Sequence, residues 1–495
     1  MDLSLTIPQA EAAAISEKGS IGDSPELLQQ PIDPEAEKRL LFKLDLAILP
    51  LFTIVYCCNF VDRTAIGNAK IAGIEKDLGM KGSEFNIALT IFYVCFILAD
   101  VPSNLLMKKF GSIWIAVLVI AFGAASLGSA FVRTYHQLIA TRVLLGIAEG
   151  GTLAALVYLL SRYYRRTELV FRTGIFFGIA PSLAGAFGGL LASGLLSLND
   201  FGEVKGWRKI FFVEGIITLI IGIICLFIIP ADPLVTRLLN DAERNLAIAR
   251  LNADQIVKTD GRREPTSLKL VLQSFNIWTA VCVTGYCLIN ISFQGLGLFL
   301  PTVVNSFGHF TVVEAQLRTV PPYVLSGIWS VSLVYWSFRI KRRAMPAVVT
   351  LCIEILGYAM SISTKNPHAR YAACFFSLIG TTPMGPMLLI WGTENAAPDT
   401  MRAVTTAAIT GFGTIGAIIG VWSYRPEDAP DFHQGNSLNL AAACITAAMV
   451  ILGALYLRKE NRIREEGQRD YRVEGKTPEE LTVLGYRHPE FRYQV

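Results

Sequence analysis

The sequence predicts an all-α integral membrane protein, with twelve transmembrane helices in two pseudo-symmetric bundles of six. Three observations predict it. Hydrophobic residues make up 52% of the 495 and charged residues only 17%, where a soluble chain carries about 25% charged; mean hydropathy is +0.46. Apolar runs long enough to cross hydrocarbon as a helix, about 20 residues, alternate with short polar segments. Lysine and arginine gather on one set of connecting loops, the bias that orients membrane proteins. The run lengths exclude a β-barrel, whose strands are ~10 residues of alternating polarity. A net charge of only +4 gives no support for a nucleic-acid partner.

Residues 1–43 are polar, rich in Glu, Pro, Ser and Gln. They lack the basic start, apolar stretch and small-residue cleavage site of a signal peptide, so they read as a disordered cytosolic N-tail. The N-terminal bundle, 44–230, holds spans one to six near 44–66, 87–107, 113–132, 138–160, 172–197 and 210–230. The first runs into Asp62 and Arg63, so its end is the least sharply marked. A cytosolic loop follows at 231–274. Within it Asp241 can cap a helix, to which Leu246, Ile248 and Leu251 give a partly apolar face. A solvated tether and a docking helix both remain open there. The C-terminal bundle, 275–457, holds spans seven to twelve near 275–300, 320–338, 345–364, 371–393, 403–423 and 438–457, and 458–495 is a cytosolic C-tail.

With the N-terminus inside, inner loops hold Lys108 and Lys109, Arg162, Arg165 and Arg166, and Arg339 to Arg343, while outer loops hold fewer and looser basics. The halves form a weak parallel repeat. Span four leads through Arg172 into a glycine-rich span five, and span ten leads through Arg402 into a glycine-rich span eleven. Small residues let helices approach closely in lipid, and two six-helix halves around a midplane site are what alternating access needs. The nine cysteines lie in apolar stretches and read as small core residues. The five histidines, His136, His309, His368, His433 and His488, show no metal or triad spacing. No phosphate-binding loop of the Walker type occurs. No enzyme and no cofactor is expected.

Charges inside spans are the sharpest signal, because each is costly unless paired or in a wet cavity. Arg142 and Glu149 are two helical turns apart on one face, with Gly146 between them leaving room for a ligand. Arg63 supplies a second fixed cation with a fork matched to a carboxylate; alternatively span one has ended and Arg63 snorkels to the interface. Asp62 points away from it, as a structural or interface charge. Asp100 lies near the inner end of span two, suited to a gate or salt bridge. Glu214 sits at the outer start of span six in a hydrogen-bonded role. Glu354 is a lone acid expected on the periphery. Glu394 and Arg402 read as an inner interface pair. Asn290, Ser292 and Gln294 interrupt span seven, and Trp391 with Asn395 interrupts span ten. Tyr93, Tyr286 and Phe293 can line a pocket.

These residues fall in motifs. Asn59-Phe-Val-Asp-Arg-Thr-Ala-Ile-Gly-Asn-Ala-Lys70, Val101-Pro-Ser-Asn-Leu-Leu106, Arg142-Val-Leu-Leu-Gly-Ile-Ala-Glu149, Gly206-Trp-Arg-Lys-Ile-Phe-Phe-Val-Glu-Gly215, Phe299-Leu-Pro301 and Tyr424-Arg-Pro-Glu-Asp-Ala-Pro430 resemble the major facilitator superfamily. More closely, the chain is similar to the fungal branch of the anion:cation symporter family that includes allantoate, nicotinate and pantothenate permeases. The resemblance covers about 44–465. It departs from the superfamily at Leu106-Met-Lys-Lys-Phe-Gly111 and in carrying Asp100 where Glu is usual. It implies the fold of that superfamily and proton- or cation-coupled carriage of small organic anions. It also implies anion binding at Arg63 and Arg142 and coupling at Glu149.

The expected function is therefore proton-coupled import of a small carboxylate by a multi-pass, monomeric protein of the plasma membrane. Its partners would be the organic anion, protons and the lipid bilayer. Arg63, Arg142, Asn290, Gln294 and Trp391 would bind substrate and Glu149 the proton. Asp62, Asp100, Glu214, Glu394 and Arg402 would serve gating or structure. Export of an organic-acid product keeps the same fold, and a non-transporting receptor would make the cavity charges dispensable.

Overall fold

The computed structural model describes residues 33–495 except 201, 203, 255–267, 309, 398 and 476–483. Most of the N-tail, the middle of the central loop and part of the C-tail therefore lie outside the described residues. Among those described, nine helices are long and apolar enough to cross a membrane. Ile113–Ser129 and Val404–Gly420 are shorter apolar helices, and Val320–Ile340, interrupted by Ser, Tyr and paired Pro, completes twelve spans.

Span one is Pro34–Ile71, one continuous helix of 38 residues. It starts within the segment read as a tail. The Asp33 carboxylate caps the Glu35 amide and Pro34 occupies the first turn, where a missing N–H costs nothing. The helix runs past Asp62 and Arg63, so both lie well inside the span, and Arg63 is 6% exposed. Arg63 therefore does not snorkel to an interface. Spans two and three are Glu84–Phe110 and Ile113–Ser129. Span four is two helices, Tyr135–Glu149 and Thr152–Ser161, broken where Gly151 takes φ +80°, a backbone conformation that favours glycine. Spans five and six are Arg166–Ser197 and Arg208–Ile228.

Spans seven, eight and nine are Ile277–Asn305, Val320–Ile340 and Ala344–Ser363. Span ten is Pro367–Thr381 with Met384–Glu394, span eleven is Asp399–Gly413 with Ile415–Gly420, and span twelve is His433–Glu465. Spans four, ten and eleven are thus each interrupted, whereas their neighbours run through.

The two glycine sets have different tasks. Span five packs on span eight of the other bundle: a Cβ on Gly178 would lie 2.6 Å from Ser330 Oγ, and one on Gly189 2.7 Å from Thr319 Oγ1. Span eleven turns Gly413, Gly416 and Gly420 onto span seven of its own bundle, and only Gly411 faces Asp100 across the boundary.

The central loop contains a docked helix, Asp241–Asp254. Arg250, 1% exposed at its side chain, joins Glu37 at 2.7 Å and Glu168 at 2.6 Å. Lys43 meets Glu243 at 2.7 Å, and that hydrogen bond, with one from the Asn240 amide, holds the Glu243 carboxyl below its ordinary range. Ala247 is fully buried on the apolar face. Arg165 also reaches Glu37, and Arg172 grips Asp45 through two nitrogens at 2.6 and 2.8 Å. The start of span one, the loop helix and the inner end of span five are thereby tied together. We call this the tail face. The distribution of basic residues predicts that it faces the cytosol, so reporter tags inserted at Ser16 and Gln468 are expected to be protected in intact cells. A tag reached from outside at either position would reverse the topology.

Candidate substrate and coupling site

Glycines bring span four against span two beside the charged residues. A Cβ on Gly146 would lie 2.5 Å from the Phe92 carbonyl, on Gly150 2.7 Å from the Phe96 carbonyl, and on Gly151 2.6 Å from Ser103 Cβ. The space at Gly146 is therefore filled by the backbone of span two and is not open to a ligand. This close approach brings Glu149, at the end of the first half of span four, to Arg63, whose guanidinium lies among Phe60, Phe92, Tyr93 and Phe96.

Arg63 crosses to Glu149. Its Nε and Nη2 donate to Glu149 Oε2 at 3.1 and 2.9 Å, and Nη2 also donates to Asn59 Oδ1 at 3.0 Å. The guanidinium lies 4.8 Å from the Phe60 ring centre and 4.9 Å from that of Phe96, so cation–π attraction adds to the pairing. Glu149 is fully buried, and its Oε1 has no hydrogen-bond partner.

Sequence spacing suggested that Arg142 holds Glu149. The structure assigns that place to Arg63, 86 residues away in sequence. Arg142, 1% exposed, donates from Nη2 to Ser129 Oγ at 3.2 Å and lies 5.2 Å from the Phe211 ring. Asp62 and Glu214 face the same interior and are each at most 1% exposed; the Ser126 and Thr218 hydroxyls lie beside Asp62, and among the described residues no carboxylate oxygen of either acid has a close hydrogen-bond partner. The hydrogen-bonded role expected of Glu214 is not what is found. The N-terminal bundle thus buries Arg63 and Arg142 together with Asp62, Glu149 and Glu214.

Across the boundary, Tyr93 donates to Gln294 Oε1 at 2.9 Å. Asn290 donates to the Gly413 carbonyl at 3.2 Å and lines a cavity with Phe177, Tyr286, Phe293, Thr382 and Gly385. Its walls come from spans five, seven and ten. Tyr56 stacks edge-on with Phe177, and Phe60 with Phe293, so aromatic packing links this cavity to the helix that bears Arg63. Spans one and seven, and two and eleven, close the side opposite the tails: Gly67 rests on the Leu298 backbone, Asn86 donates to the Val421 carbonyl at 2.5 Å, and Trp422 donates to Thr90 at 3.0 Å.

The remaining sequence candidates lie at the tail face. Asp100 accepts from Asn104 at 3.1 Å, with no basic partner among the described residues. A Cβ on Gly411 would lie 3.8 Å from its Oδ2, so it stands where the bundles meet. Glu394 pairs with Arg343, through two bonds of 2.8 and 2.7 Å, rather than with Arg402. Arg402 donates to the Thr393 carbonyl. Trp391 is spent on the C-tail: its Nε1 donates to the Gln494 carbonyl at 2.8 Å, and Asn395 exchanges two hydrogen bonds with the same residue.

That tail segment is held by backbone recognition, which sequence reading missed because main-chain acceptors carry no residue signature. Arg464, 1% exposed at its side chain, donates to the carbonyls of Tyr486 and Phe491 at 3.0 and 2.8 Å, and pairs with Glu460. Asn461 binds both backbone groups of Tyr493. Burial raises the Tyr493 phenol to about 12 despite the nearby Arg464. Arg464→Ala is expected to release the segment, at roughly 1–3 kcal/mol for each acceptor left dry. Limited proteolysis from the tail face should then cut between 484 and 495 faster than in the wild type; an unchanged rate would assign the hold to other residues.

An all-helical membrane protein in two six-span halves, with ionisable groups sealed near their boundary, has the architecture of a secondary transporter. The chain belongs to the Major Facilitator Superfamily, whose family model matches residues 52–421. It is 32% identical over 444 residues to the MFS-type transporter efuF of Hormonema carpetanum, covering 88% of each chain. It is 29% identical over 478 residues to the major facilitator-type transporter hxnP of Emericella nidulans, covering 93% of this chain and 94% of that one. The fold matches the proton:xylose symporter XylE bound to 6-bromo-6-deoxy-D-glucose with a TM-score of 0.64 at 14% identity, over 84% of this chain and 95% of that one. It also matches an inward-facing bacterial homologue of the human lysosomal transporter Spinster with a TM-score of 0.60 at 15% identity, over 82% and 96%. The protein is a multi-pass membrane transporter of this superfamily.

Proposed function

We propose that the transporter imports a small organic anion together with a proton, and that Arg63 and Glu149 are the exchange point between them. The observation that carries this reading is the buried ion pair itself, two nitrogens on one carboxylate oxygen. A guanidinium that can hold Glu149 can hold a substrate carboxylate in the same geometry. Once the substrate takes Arg63, Glu149 is left buried without its counter-charge, which is expensive at this depth, so it takes up a proton. Anion and proton then bind with positive coupling, and by linkage each favours the other equally.

The charge count supports the same step. Around the pair itself, Arg63 and Arg142 already face Asp62, Glu149 and Glu214, so an added anion needs an added positive charge. Asn290 and the aromatic walls around it would receive the body of the substrate, and Gln294 with Tyr93 would report its arrival across the boundary. Arg142, held by Ser129 and Phe211, would act as a fixed positive field behind the exchange point.

A screen of labelled carboxylates for uptake in a host lacking its own carriers, at two external pH values, tests the proposal. The expected result is one class of carboxylate whose accumulation rises as external pH falls. Accumulation of no carboxylate, or of carboxylates whose uptake does not rise as external pH falls, would overturn it.

A further inference from the structure

Glu354 was expected on the periphery; it is instead fully buried. The cause is local. Gly380 on span ten has no side chain at the point where Glu354 Cβ presses on it, and a Cβ on Gly357 would lie 2.5 Å from both the Ser377 amide and Ser377 Oγ. The two glycines let spans nine and ten touch along their length, which turns Glu354 and Tyr358, one helical turn apart, into the C-terminal bundle.

What they meet is a group of oxygens. Thr381 and Ser292, on spans ten and seven, turn hydroxyls toward Glu354. Among the described residues neither Glu354 oxygen has a partner at close hydrogen-bonding geometry, and the same holds for Ser292 Oγ, Ser377 Oγ and Tyr358 Oη, all of them buried. Native interiors leave few such groups unmet, because each one left dry forfeits the hydrogen bonds it made in water. Several together on one spot point to an occupant. A cavity lined by Ser361, Arg370, Cys374, Ser377 and Asn436 leads to Tyr358 from the face opposite the tails.

The occupant must bring positive charge. No ion pair reaches Glu354 among the described residues, and an ionised carboxylate alone at this depth costs several kcal/mol. Hydroxyls solvate such a charge without neutralising it. The titratable neighbour of Glu354 is Tyr358 on its own helix, and Tyr358 is in turn approached by Cys374 on span ten and Tyr424 beyond span eleven. The nearest cation in the cavity wall, Arg370, is engaged by Asp431 at 3.0 Å and by the Pro430 and Asp431 carbonyls. Span seven contributes the neutral hydroxyl of Ser292. One carboxylate with hard oxygen neighbours, and no cluster of metal-ligating side chains among the described residues, suits a single charge rather than a divalent metal.

We propose that Glu354, with the oxygens of Ser292, Tyr358, Ser377 and Thr381, binds one monovalent cation, a proton or an alkali ion, in the C-terminal bundle. The site is separate from the Arg63–Glu149 pair and does not depend on that pair's role. It nevertheless bears on the same motion, because Ser292 lies two residues from Gln294, the acceptor that Tyr93 reaches across the bundle boundary. Occupancy would therefore be felt by the helix that closes the cavity.

Infrared difference spectroscopy of the full-length protein in lipid vesicles tests this without knowledge of the substrate. Spectra are taken on lowering pH, and separately on exchanging K⁺ for Na⁺ at fixed pH, for wild type, Glu354→Gln and Glu149→Gln. A proton site gives a carboxylic-acid carbonyl band that grows at low pH, is lost in Glu354→Gln and survives in Glu149→Gln. An alkali-ion site gives a carboxylate band that moves with Na⁺ and is lost in Glu354→Gln only. If Glu354→Gln fails to fold, Ser292→Ala, which keeps the acid and removes one neighbour, must displace the same band. Difference spectra unchanged by the substitution, as a permanently neutral or merely hydrated Glu354 would give, overturn the proposal.

Discussion

Arg63→Ala abolishes uptake of the transported anion; that is the largest effect expected of any single substitution here. Losing a desolvated carboxylate contact costs roughly 2–5 kcal/mol. Arg63→Lys should be nearly as damaging. Arg63 uses Nε and Nη2 on Glu149 and shares Nη2 with Asn59, and a single ammonium cannot copy that fork. Removing the arginine also leaves Glu149 as an uncompensated buried charge, at about 3–5 kcal/mol, so the single variant can fail for reasons of folding. The pair Arg63→Ala with Glu149→Gln removes both charges. It should restore surface level and leave uptake absent. Uptake at wild-type rate by either variant would remove Arg63 from the binding site.

Glu149→Gln should separate exchange from accumulation. The amide imitates the protonated acid permanently and frees Arg63 for the anion. Counterflow of labelled against unlabelled substrate is therefore expected to persist, whereas acid-stimulated net accumulation is lost. The sign follows from the exchange step: low external pH supplies the proton that the loaded carrier needs, so wild-type uptake rises as pH falls and the variant's does not. Both assays belong on the same membranes, with surface level measured. If Glu149→Gln accumulates substrate with wild-type pH dependence, the proton travels elsewhere, and Asp62 and Glu214 are the next groups to replace.

The fold was legible because hydrophobicity is a one-dimensional property. Twelve apolar runs need no knowledge of neighbours, and their order placed both bundles. Burial of Arg63 and Glu149 was legible for the same reason: charges inside apolar runs are conspicuous. Their partnership was not. Two turns of one helix put Arg142 and Glu149 on a shared face, but the guanidinium that reaches Glu149 comes from span one, and spacing within a helix says nothing about which helix lies opposite. Gly146 misled in the same way, since a missing side chain can mean room for a ligand or room for another backbone. Glu354 shows the limit most plainly. Whether a lone acid faces lipid or the interior is decided by Gly357 and Gly380, and only the packed structure tells which helix each of them meets.

The clamp on the C-tail has a genetic consequence. Trp391, Asn395, Asn461 and Arg464 all direct donors at the stretch from Tyr486 to Gln494. A stop codon or frameshift just before Tyr486 would spare every membrane span, yet it would strip those four side chains of their acceptors at once. Alleles shortened there should behave as lesions of the C-terminal bundle, milder in the cold and worse in the heat, and should be phenocopied by Arg464→Ala rather than by loss of any cavity residue.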